Sequence, residues 1–147
     1  MENLEELARQ LMPYLLKTHA IWGDASKLIV GKNVSLINTL FNTSSGSIII
    51  EDDVFFGHNV CVLTGSHFYE YQGAVRKDFP REGNDIIIKK YAWIASNSTI
   101  IGPCEIGENS VIGAGSVVLG NVPAGCLYAG IPAKFIKNID FKNAVSV

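Results

Sequence analysis

The chain has 147 residues, of which 48% are hydrophobic, and its formal net charge is −2. This length suits one domain with a continuous core, and the near-neutral charge argues against a nucleic-acid-binding protein, which would carry a basic face. No apolar run approaches the roughly 20 residues that a membrane helix needs. The chain starts with the acidic segment MENLEELARQ rather than with the basic and then apolar order of a signal peptide, so a cytoplasmic location is expected.

The first predicted element is a helix. Leu4, Leu7, Leu11 and Leu15 follow helical spacing, and Pro13 is expected to disturb the helix near its end. Residues 1–18 are therefore predicted to form a helical cap that covers one end of the domain or packs against another subunit.

The rest of the chain repeats with a period of six. From residue 88 onward an apolar residue recurs at every sixth position, namely Ile88, Ile94, Ile100, Ile106, Ile112, Val118 and Ala124. Four residues after each of them stands a residue that is usually small: Ala92, Ser98, Cys104, Ser110, Ser116, Val122 and Tyr128. An earlier block keeps the same step with Ile50, Phe56 and Val62, and a weaker run of Val30 and Leu36 slips by two residues before Ile50.

A period of six fits neither a helix, with its period of 3.6, nor a half-buried strand, with its period of two. It is typical of a prism with three short strands per coil, in which each strand points its aliphatic residue to the axis. Ile88, Ile106 and Ala124 are then predicted to stack on one side, and glycines are expected at corners that need unusual backbone angles. The predicted fold is all-β, a parallel β-helix of hexapeptide repeats.

A single domain over residues 1–147 is expected, with five parts. They are the cap (1–18), the first coils (21–67), an excursion loop (68–87), the later coils (88–128), and a C-terminal loop and tail (129–147). Cys61, Cys104 and Cys126 are far apart and form no CxxC pair, so free and mostly buried thiols are expected rather than a zinc site or a disulfide framework.

His67 ends the Val62 repeat at a corner of the prism, and the repeat resumes in phase at Ile88 if the twenty residues between them loop out. His67 thus lies where a loop leaves a rigid scaffold, which fixes the position of a reactive group. Packing at a corner does not require a histidine. We therefore interpret His67 as a candidate catalytic residue.

Three segments, IEDDVFFGHNVCVLTGSH, IGENSVIGAGSVV and AGIPAKFI, resemble the hexapeptide-repeat acetyltransferases. The similarity extends over residues 30–137 and is strongest to the branch with galactoside, maltose, nodulation-factor and polysaccharide O-acetyltransferases. The resemblance implies a left-handed β-helix and a homotrimer that uses acetyl-CoA without a metal, with active sites between neighbouring prisms. It also implies that His67 is the general base for a sugar hydroxyl in surface polysaccharide biosynthesis, and that the Ser96 N–H stabilises the oxyanion.

The resemblance further implies a set of residues along the bound acetyl-CoA: Trp93, Ala95, Ser96, Ala114 and Lys134. Trp93 is expected beside the histidine pocket, Ala95, Ser96 and Ala114 along the pantetheine arm, and Lys134 near the phosphates. Packing of Trp93 between subunits and an ordinary exposed Lys134 are the alternatives. Gly120 stands where the family commonly has lysine, so phosphate binding is expected to be weaker or shared with Lys137.

The excursion loop is rich in aromatic and basic residues, a combination that can bind a polyhydroxylated ring. Tyr69 and Tyr71 are candidate acceptor-binding residues on this ground. Docking of the same aromatics on a neighbouring subunit fits the sequence equally well. Asn38 and Asn42 lie near a segment that contacts acceptors in the family, but the slip in the repeat leaves their match unsettled.

Other functions fit the sequence less well. An antibiotic acetyltransferase or an amino-sugar N-acetyltransferase would share the scaffold and the histidine. A γ-type carbonic anhydrase would need three zinc-binding histidines, and the spacing of His19, His58 and His67 does not match that family. A non-catalytic trimeric scaffold would not need His67 or the AWIAS and GIPAK segments, and a nucleotidyltransferase would need a further nucleotide-binding domain.

Overall fold

The computed structural model describes residues 3–15 and 18–143. Helix α1 spans Leu4–Leu15, and 3₁₀ turns occupy Ala25–Lys27 and Gly73–Lys77. The strands of the described residues are β1 (Ala20–Trp22), β2 (Leu28–Val30), β3 (Leu40–Asn42), β4 (Ile48–Ile50), β5 (Phe55–Phe56), β6 (Cys61–Leu63), β7 (Ile86–Ile88), β8 (Trp93–Ile94), β9 (Thr99–Ile101), β10 (Cys104–Ile106), β11 (Val111–Ile112), β12 (Val117–Val118), β13 (Cys126–Gly130) and β14 (Ala133–Asn138).

The strands build three sheets that form the sides of a prism. Sheet A has the order β1-β3-β6-β9-β12, sheet B the order β2-β4-β7-β10, and sheet C the order β5-β8-β11-β13-β14. Pairing between successive coils is parallel, and Ile88 pairs with Ile106, eighteen residues further on. The predicted left-handed parallel β-helix is confirmed.

The core is a column of aliphatic side chains along the prism axis. The members of the six-residue step from residue 50 to residue 118 are all buried: Ile50, Phe56, Val62, Ile88, Ile94, Ile100, Ile106, Ile112 and Val118. Burying one such side chain stabilises a fold by about 1.5–3 kcal/mol. The period of six is therefore set by the need to fill the axis once on each side of every coil.

Several of the small residues between these positions are serines that form buried hydrogen bonds. Ser98, Ser110 and Ser116 are fully buried, and each hydroxyl donates to the carbonyl oxygen three residues earlier, at 2.6–2.7 Å. These bonds satisfy a buried polar group and close the corner turn at the same time.

At the corner residue Gly107, glycine is required because the next coil approaches closely, and not because of an unusual backbone angle. A Cβ on Gly107 would clash with the backbone nitrogen of Ala124 in the next coil. Positive φ angles at the neighbouring corners fall on Asn97 and Asn109 (60° and 55°), residues that tolerate the left-handed region better than most. The expectation that corner glycines serve unusual backbone angles therefore fails at Gly107 but holds at Gly115, where φ is +69°.

The excursion has the predicted length but returns earlier than predicted. Ile50 pairs with Ile88 across 38 residues, which equals one 18-residue coil and a 20-residue excursion. The prism resumes at Ile86, where β7 begins, and the Asn84 N–H already donates to the Ser45 carbonyl oxygen at 3.1 Å. The expected upper boundary at residue 87 is therefore two residues too late. The predicted slip before Ile50 is also present, because Val30 pairs with Ile50 twenty residues on.

The predicted stacking of Ala124 on Ile106 is wrong. Val122 forms a parallel bridge with Ile106, whereas Ala124 is exposed. The pairing of Ile112 with Tyr128 keeps the same spacing of sixteen residues, so the last coil is two residues shorter than the others. The larger side chain of Val122 buries more apolar surface at the axis than alanine would, which favours the shorter coil.

The C-terminal segment is not the predicted loop. Residues 133–138 form β14, which pairs antiparallel with β13 and covers the open edge of sheet C. An added edge strand pairs backbone groups that would otherwise be exposed at the end of the sheet. Residues 144–147 of the predicted tail lie outside the described residues.

The predicted N-terminal helix is present, but three of its leucines are not covered within one chain. The exposed fractions of Leu4, Leu7 and Leu11 are 82%, 52% and 46%. The helix continues past Pro13 to Leu15, contrary to the expected disturbance, because a proline near a C-terminal end removes few helical hydrogen bonds. The side chains of residues 13–15, and the whole of residues 1–2 and 16–17, lie outside the described part.

The three thiols are free, and two of them are buried, as predicted. Burial raises the pKa of the Cys104 thiol from 9.0 to about 12. Cys61, on the outer side of sheet A, is partly exposed. Among the described helices, none is long and apolar enough to cross a membrane.

Candidate active site

His67 lies at the corner that follows β6, and its ring is held by the excursion loop. Its Nδ1 atom is 3.1 Å from the Lys77 carbonyl oxygen. A carbonyl oxygen only accepts hydrogen bonds, so Nδ1 must carry the proton in this contact. The neutral imidazole then keeps an unprotonated Nε2, the form that a general base requires.

The side chain of His67 is exposed and lines a cleft of about 200 Å³. The other lining residues come from the first coil, from the corner itself and from the loop: Trp22, Asn42, Ser44, Gly65, Ser66 and Phe79. The ring of Phe79 lies edge-on to that of His67, at 6.1 Å between centroids. The cleft therefore joins a candidate base, aromatic surface and polar groups in one place.

Asn42 and Trp22 reach this cleft because their strands pair in sheet A. Asn42 pairs with Trp22 on one side and with Leu63 on the other, only four residues before His67. The Asn42 Oδ1 atom accepts the Ser44 N–H at 2.9 Å. A Cβ on Gly65 would lie 2.5 Å from the Asn42 Nδ2 atom, so the glycine of the TGSH corner makes room for this side chain.

Sequence reasoning missed Trp22 and left Asn42 unassigned. The coil that links Leu40 to Cys61 has 21 residues instead of 18, so a strict six-residue count does not align this part of the chain. The alternating pattern of the segment LFN, with Phe41 buried between Leu40 and Asn42, was the available signal. It predicts that Asn42 points outward, at the corner next to His67.

Tyr69 and Tyr71 do not line this cleft in the described chain. Their exposed fractions are 66% and 58%, and Tyr71 contacts Phe68 edge-on at 6.0 Å. The aromatic residue of the loop that does line the cleft is Phe79. The sequence shows that aromatic residues cluster in the loop but not where each side chain points. It therefore could not single out Phe79.

The part of the excursion loop that returns to the prism is held by hydrogen bonds to other segments of the chain. The Phe68 N–H donates to the Asp78 carbonyl oxygen at 3.0 Å, next to the contact of His67 with Lys77. Farther along, the Lys27 ammonium donates to the Arg81 carbonyl oxygen at 3.0 Å. The loop is thus fastened both to the His67 corner and to the first coil.

Ser96 and Ala114 lie on another edge of the prism, where sheet C turns into sheet A. They occupy equivalent corners of adjacent coils, as shown by the bond from the Gly115 N–H to the Ser96 carbonyl oxygen at 2.9 Å. The Ser96 hydroxyl oxygen accepts the His58 N–H at 3.0 Å. Within the described chain the Ser96 N–H has no acceptor and its nitrogen lies next to Gly57 of the preceding coil, whereas the Ala95 N–H donates to the Ile112 carbonyl oxygen.

Lys134 lies farther along, on β14 opposite Ala129. It lines a cleft of about 290 Å³ together with Gly120, Asn121 and Tyr128. Lys137 pairs with Leu127 on the same strand and is exposed. Small residues at two corners, followed by a basic residue, make this edge suitable for an extended ligand with an anionic end.

Trp93 is not beside His67 within one chain. It belongs to sheet C, is 44% exposed and stacks on Phe55 at 5.9 Å between centroids. Ser96 precedes the start of β9, and His67 follows the end of β6, which pairs with β9 in sheet A. Ser96 and His67 therefore lie at opposite edges of sheet A. A site that contains both His67 and the Ser96 edge therefore needs a second copy of the chain.

The third edge of the prism contributes nothing to the candidate site. A groove of about 650 Å³ lies there, around the ion pair of Lys89 and Glu51 at 3.3 Å, and none of the candidate site residues lines it. In the described part of the chain, no three His, Cys, Asp or Glu side chains are grouped so that they could hold a metal ion.

Comparison with known proteins agrees with this architecture. Residues 85–120 match the family model described as bacterial transferase hexapeptide (six repeats). The galactoside O-acetyltransferase of Escherichia coli is 30% identical over 115 residues, which cover 78% of this chain and 56% of that protein. The 2,3,4,5-tetrahydropyridine-2,6-dicarboxylate N-acetyltransferase of Clostridium perfringens is 44% identical over 63 residues, which cover 43% of this chain and 27% of the relative.

Among solved structures, a galactoside acetyltransferase in complex with coenzyme A superposes with a TM-score of 0.71 at 26% identity. The match covers 95% of this chain and 74% of the other. The chain spans little more than half the length of the galactoside O-acetyltransferase that it matches in sequence. The repeat, the prism and these similarities together show that the chain is built from hexapeptide repeats and resembles the hexapeptide acetyltransferases in sequence and fold.

Proposed function

We propose that the protein is an acetyl-CoA-dependent O-acetyltransferase that modifies a sugar hydroxyl in surface polysaccharide biosynthesis, in the cytoplasm. The observation that carries this proposal is the bond from His67 Nδ1 to the Lys77 carbonyl oxygen, which leaves Nε2 basic in a cleft of suitable size. The similarity to a galactoside O-acetyltransferase supports the acceptor class. The structure of a relative with coenzyme A supports the donor.

The proposed reaction is a direct transfer. His67 Nε2 takes the proton of the acceptor hydroxyl as its oxygen attacks the carbonyl carbon of the thioester. The negative charge that forms on the carbonyl oxygen is stabilised by the free Ser96 N–H. The carbon–sulfur bond then breaks, and the leaving thiolate takes the proton from the imidazolium, which restores neutral His67.

We place the active site between two subunits of a homotrimer. The support is geometric, because His67 and the Ser96 edge lie on opposite sides of sheet A in one chain. Rotation of one prism against the next can bring the His67 corner of one subunit to the Ser96 edge of its neighbour. Trp93, Ala95, Ala114 and Lys134 then bind acetyl-CoA, with Trp93 near the histidine pocket of the adjoining subunit.

A second candidate is N-acetylation of an amino group. The similarity to an N-acetyltransferase over 63 residues favours it. A general base at His67 would serve this reaction equally, since an ammonium group must lose a proton before it attacks. The acceptor panel therefore has to include amino sugars beside neutral sugars.

The test is release of the coenzyme A thiol with a panel of galactosides, glucosides and their amino-sugar counterparts. We expect turnover with at least one acceptor, and a loss of roughly 10²–10⁴-fold in kcat for His67→Ala. His19→Ala is the matched control, because His19 is also exposed and does not line the His67 cleft. Equal rates for His67→Ala and the wild type would remove His67 from the mechanism.

A further inference from the structure

Arg81 does not itself line the His67 cleft, but its side chain stacks on Phe79, which does. Its guanidinium carbon is 4.0 Å from the centroid of the Phe79 ring, which is the distance of a cation–π contact. Phe79 in turn lies edge-on to His67. A positive charge is therefore placed one aromatic ring away from the candidate base.

The position of Arg81 is fixed at both its backbone and its side chain. The Lys27 ammonium binds the Arg81 carbonyl oxygen, and the Phe79 ring supports the guanidinium. Less conformational freedom then has to be lost when such a side chain binds a ligand.

The guanidinium of Arg81 has no anionic partner in the described part of the chain. The ion pairs found there are Arg9 with Glu6 and Lys89 with Glu51. The carboxylate that lies nearest in sequence to Lys27, Asp24, accepts the backbone and hydroxyl hydrogen bonds of Ser26 through its Oδ1 atom. Lys27 contacts Arg81 only at its backbone oxygen, and no hydrogen bond or ion pair engages the guanidinium in the described chain, so its five N–H groups are free to bind a ligand.

The cleft itself offers no competing negative charge. Its lining combines the aromatic rings of Trp22 and Phe79 with the amide of Asn42 and the hydroxyl of Ser44, and none of its lining residues carries a carboxylate. A planar guanidinium pairs with a carboxylate through two parallel hydrogen bonds, which fixes orientation as well as adding affinity. The arrangement suits a sugar ring that carries an acid group toward Arg81.

We propose that the acceptor is an acidic sugar, whose carboxylate pairs with Arg81 while its ring lies between Trp22 and Phe79. This inference rests on the proposed function and names its substrate class. Arg81 acts as a specificity-determining residue, whereas His67 supplies the chemistry. Lys27 acts through the Arg81 backbone and is a positioning residue.

The test compares acceptors that differ only in the acid group, methyl galactoside with methyl galacturonide and methyl glucoside with methyl glucuronide. The measured quantity is the ratio of kcat/KM for the acid over that for the neutral sugar, from coenzyme A release. We expect a ratio of at least about ten in the wild type, as a single charge-assisted pair can supply. In Arg81→Gln the ratio should fall toward one, and Arg81→Lys should retain part of it.

Arg76→Gln is the matched control, because Arg76 is an exposed arginine of the same loop, whereas the arginine that stacks on Phe79 in the described chain is Arg81. It should keep the wild-type ratio. Turnover of the neutral sugars without a preference for the acids, or an equal ratio in Arg81→Gln and the wild type, overturns the acidic acceptor and leaves the acetyl transfer intact. Turnover of neither series, with acetyl-CoA bound, overturns the proposed function as well.

Discussion

The His67 ring donates from Nδ1 to the carbonyl oxygen of Lys77, a residue ten positions later at the end of a 3₁₀ turn in the excursion loop. The scaffold positions the histidine backbone, and the loop fixes the tautomer of its ring. Since the contact is to a main-chain oxygen, it depends on the path of the loop rather than on the identity of residue 77. The loop is thereby part of the proposed catalytic arrangement and does more than cover it.

Val122→Ala should destabilise the protein, whereas Ala124→Ser should not. Val122 is 3% exposed and bridges to Ile106, while Ala124 is exposed. We expect a loss of about 1–3 kcal/mol in the free energy of unfolding for Val122→Ala, from lost burial and a cavity, and a change within about 0.5 kcal/mol for Ala124→Ser. Urea unfolding of both variants measures this. A larger loss for Ala124→Ser than for Val122→Ala would instead indicate that Ala124 stacks on Ile106, with the eighteen-residue spacing of the other coils.

Gly57→Ala should disturb the Ser96 corner. A Cβ at residue 57 would clash with both the nitrogen and the hydroxyl oxygen of Ser96, so Ser96 must move. We expect a loss of about 1–3 kcal/mol in the free energy of unfolding, the usual effect of overpacking, and less thermal protection by acetyl-CoA. The stability control is Gly120→Ala, where an added Cβ meets nothing within 4 Å. Unchanged stability of Gly57→Ala would show that the coils separate more easily than their geometry suggests.

The free energy of unfolding should decrease at alkaline pH because the Cys104 thiol is buried. Its pKa in the folded protein is about 12, against 9.0 when it is not buried. Between these two values the unfolded chain loses the proton while the folded protein keeps it, so the contribution of Cys104 is complete below pH 9 and is lost as pH rises toward 12. The slope is at most about 1.4 kcal/mol per pH unit. Urea unfolding across this range should show a shallower decline for Cys104→Ala, and parallel curves would contradict the assignment.

Coexpression of two inactive variants should recover activity if the protein forms the proposed homotrimer. His67→Ala removes the proposed base, and Ala114→Trp blocks the proposed acetyl-CoA edge at an exposed corner where the core is untouched. If each site takes His67 from one subunit and the Ser96 edge from the next, coexpression produces some interfaces with both parts intact. Coenzyme A release by the purified mixture, compared with each variant alone, measures this. No recovery in trimers that contain both variants would place the site within one subunit.

The repeat of six was enough to predict the prism, because every coil must point apolar side chains to a shared axis and neither a helix nor an ordinary strand has that period. Ile50 and Ile88 illustrate how far this goes, since their pairing across the excursion follows from phase alone. His67 was found as a candidate catalytic residue in the same way, because it ends a repeat where the loop leaves the scaffold and packing does not require a histidine there; its role as general base came from the family resemblance. The sequence by itself thus determined the fold and the residue on which the proposed chemistry rests.

Only the tertiary structure decided what surrounds that residue. Trp22, Asn42 and Phe79 meet His67 because the first coils are longer than eighteen residues and because the loop folds back through Lys77 and Arg81. Val122 replaced Ala124 at the axis for a similar reason, as a coil can shorten when this buries a larger side chain. Coil length and loop path are set by hydrogen bonds and packing between distant segments. A local repeat does not determine either of them.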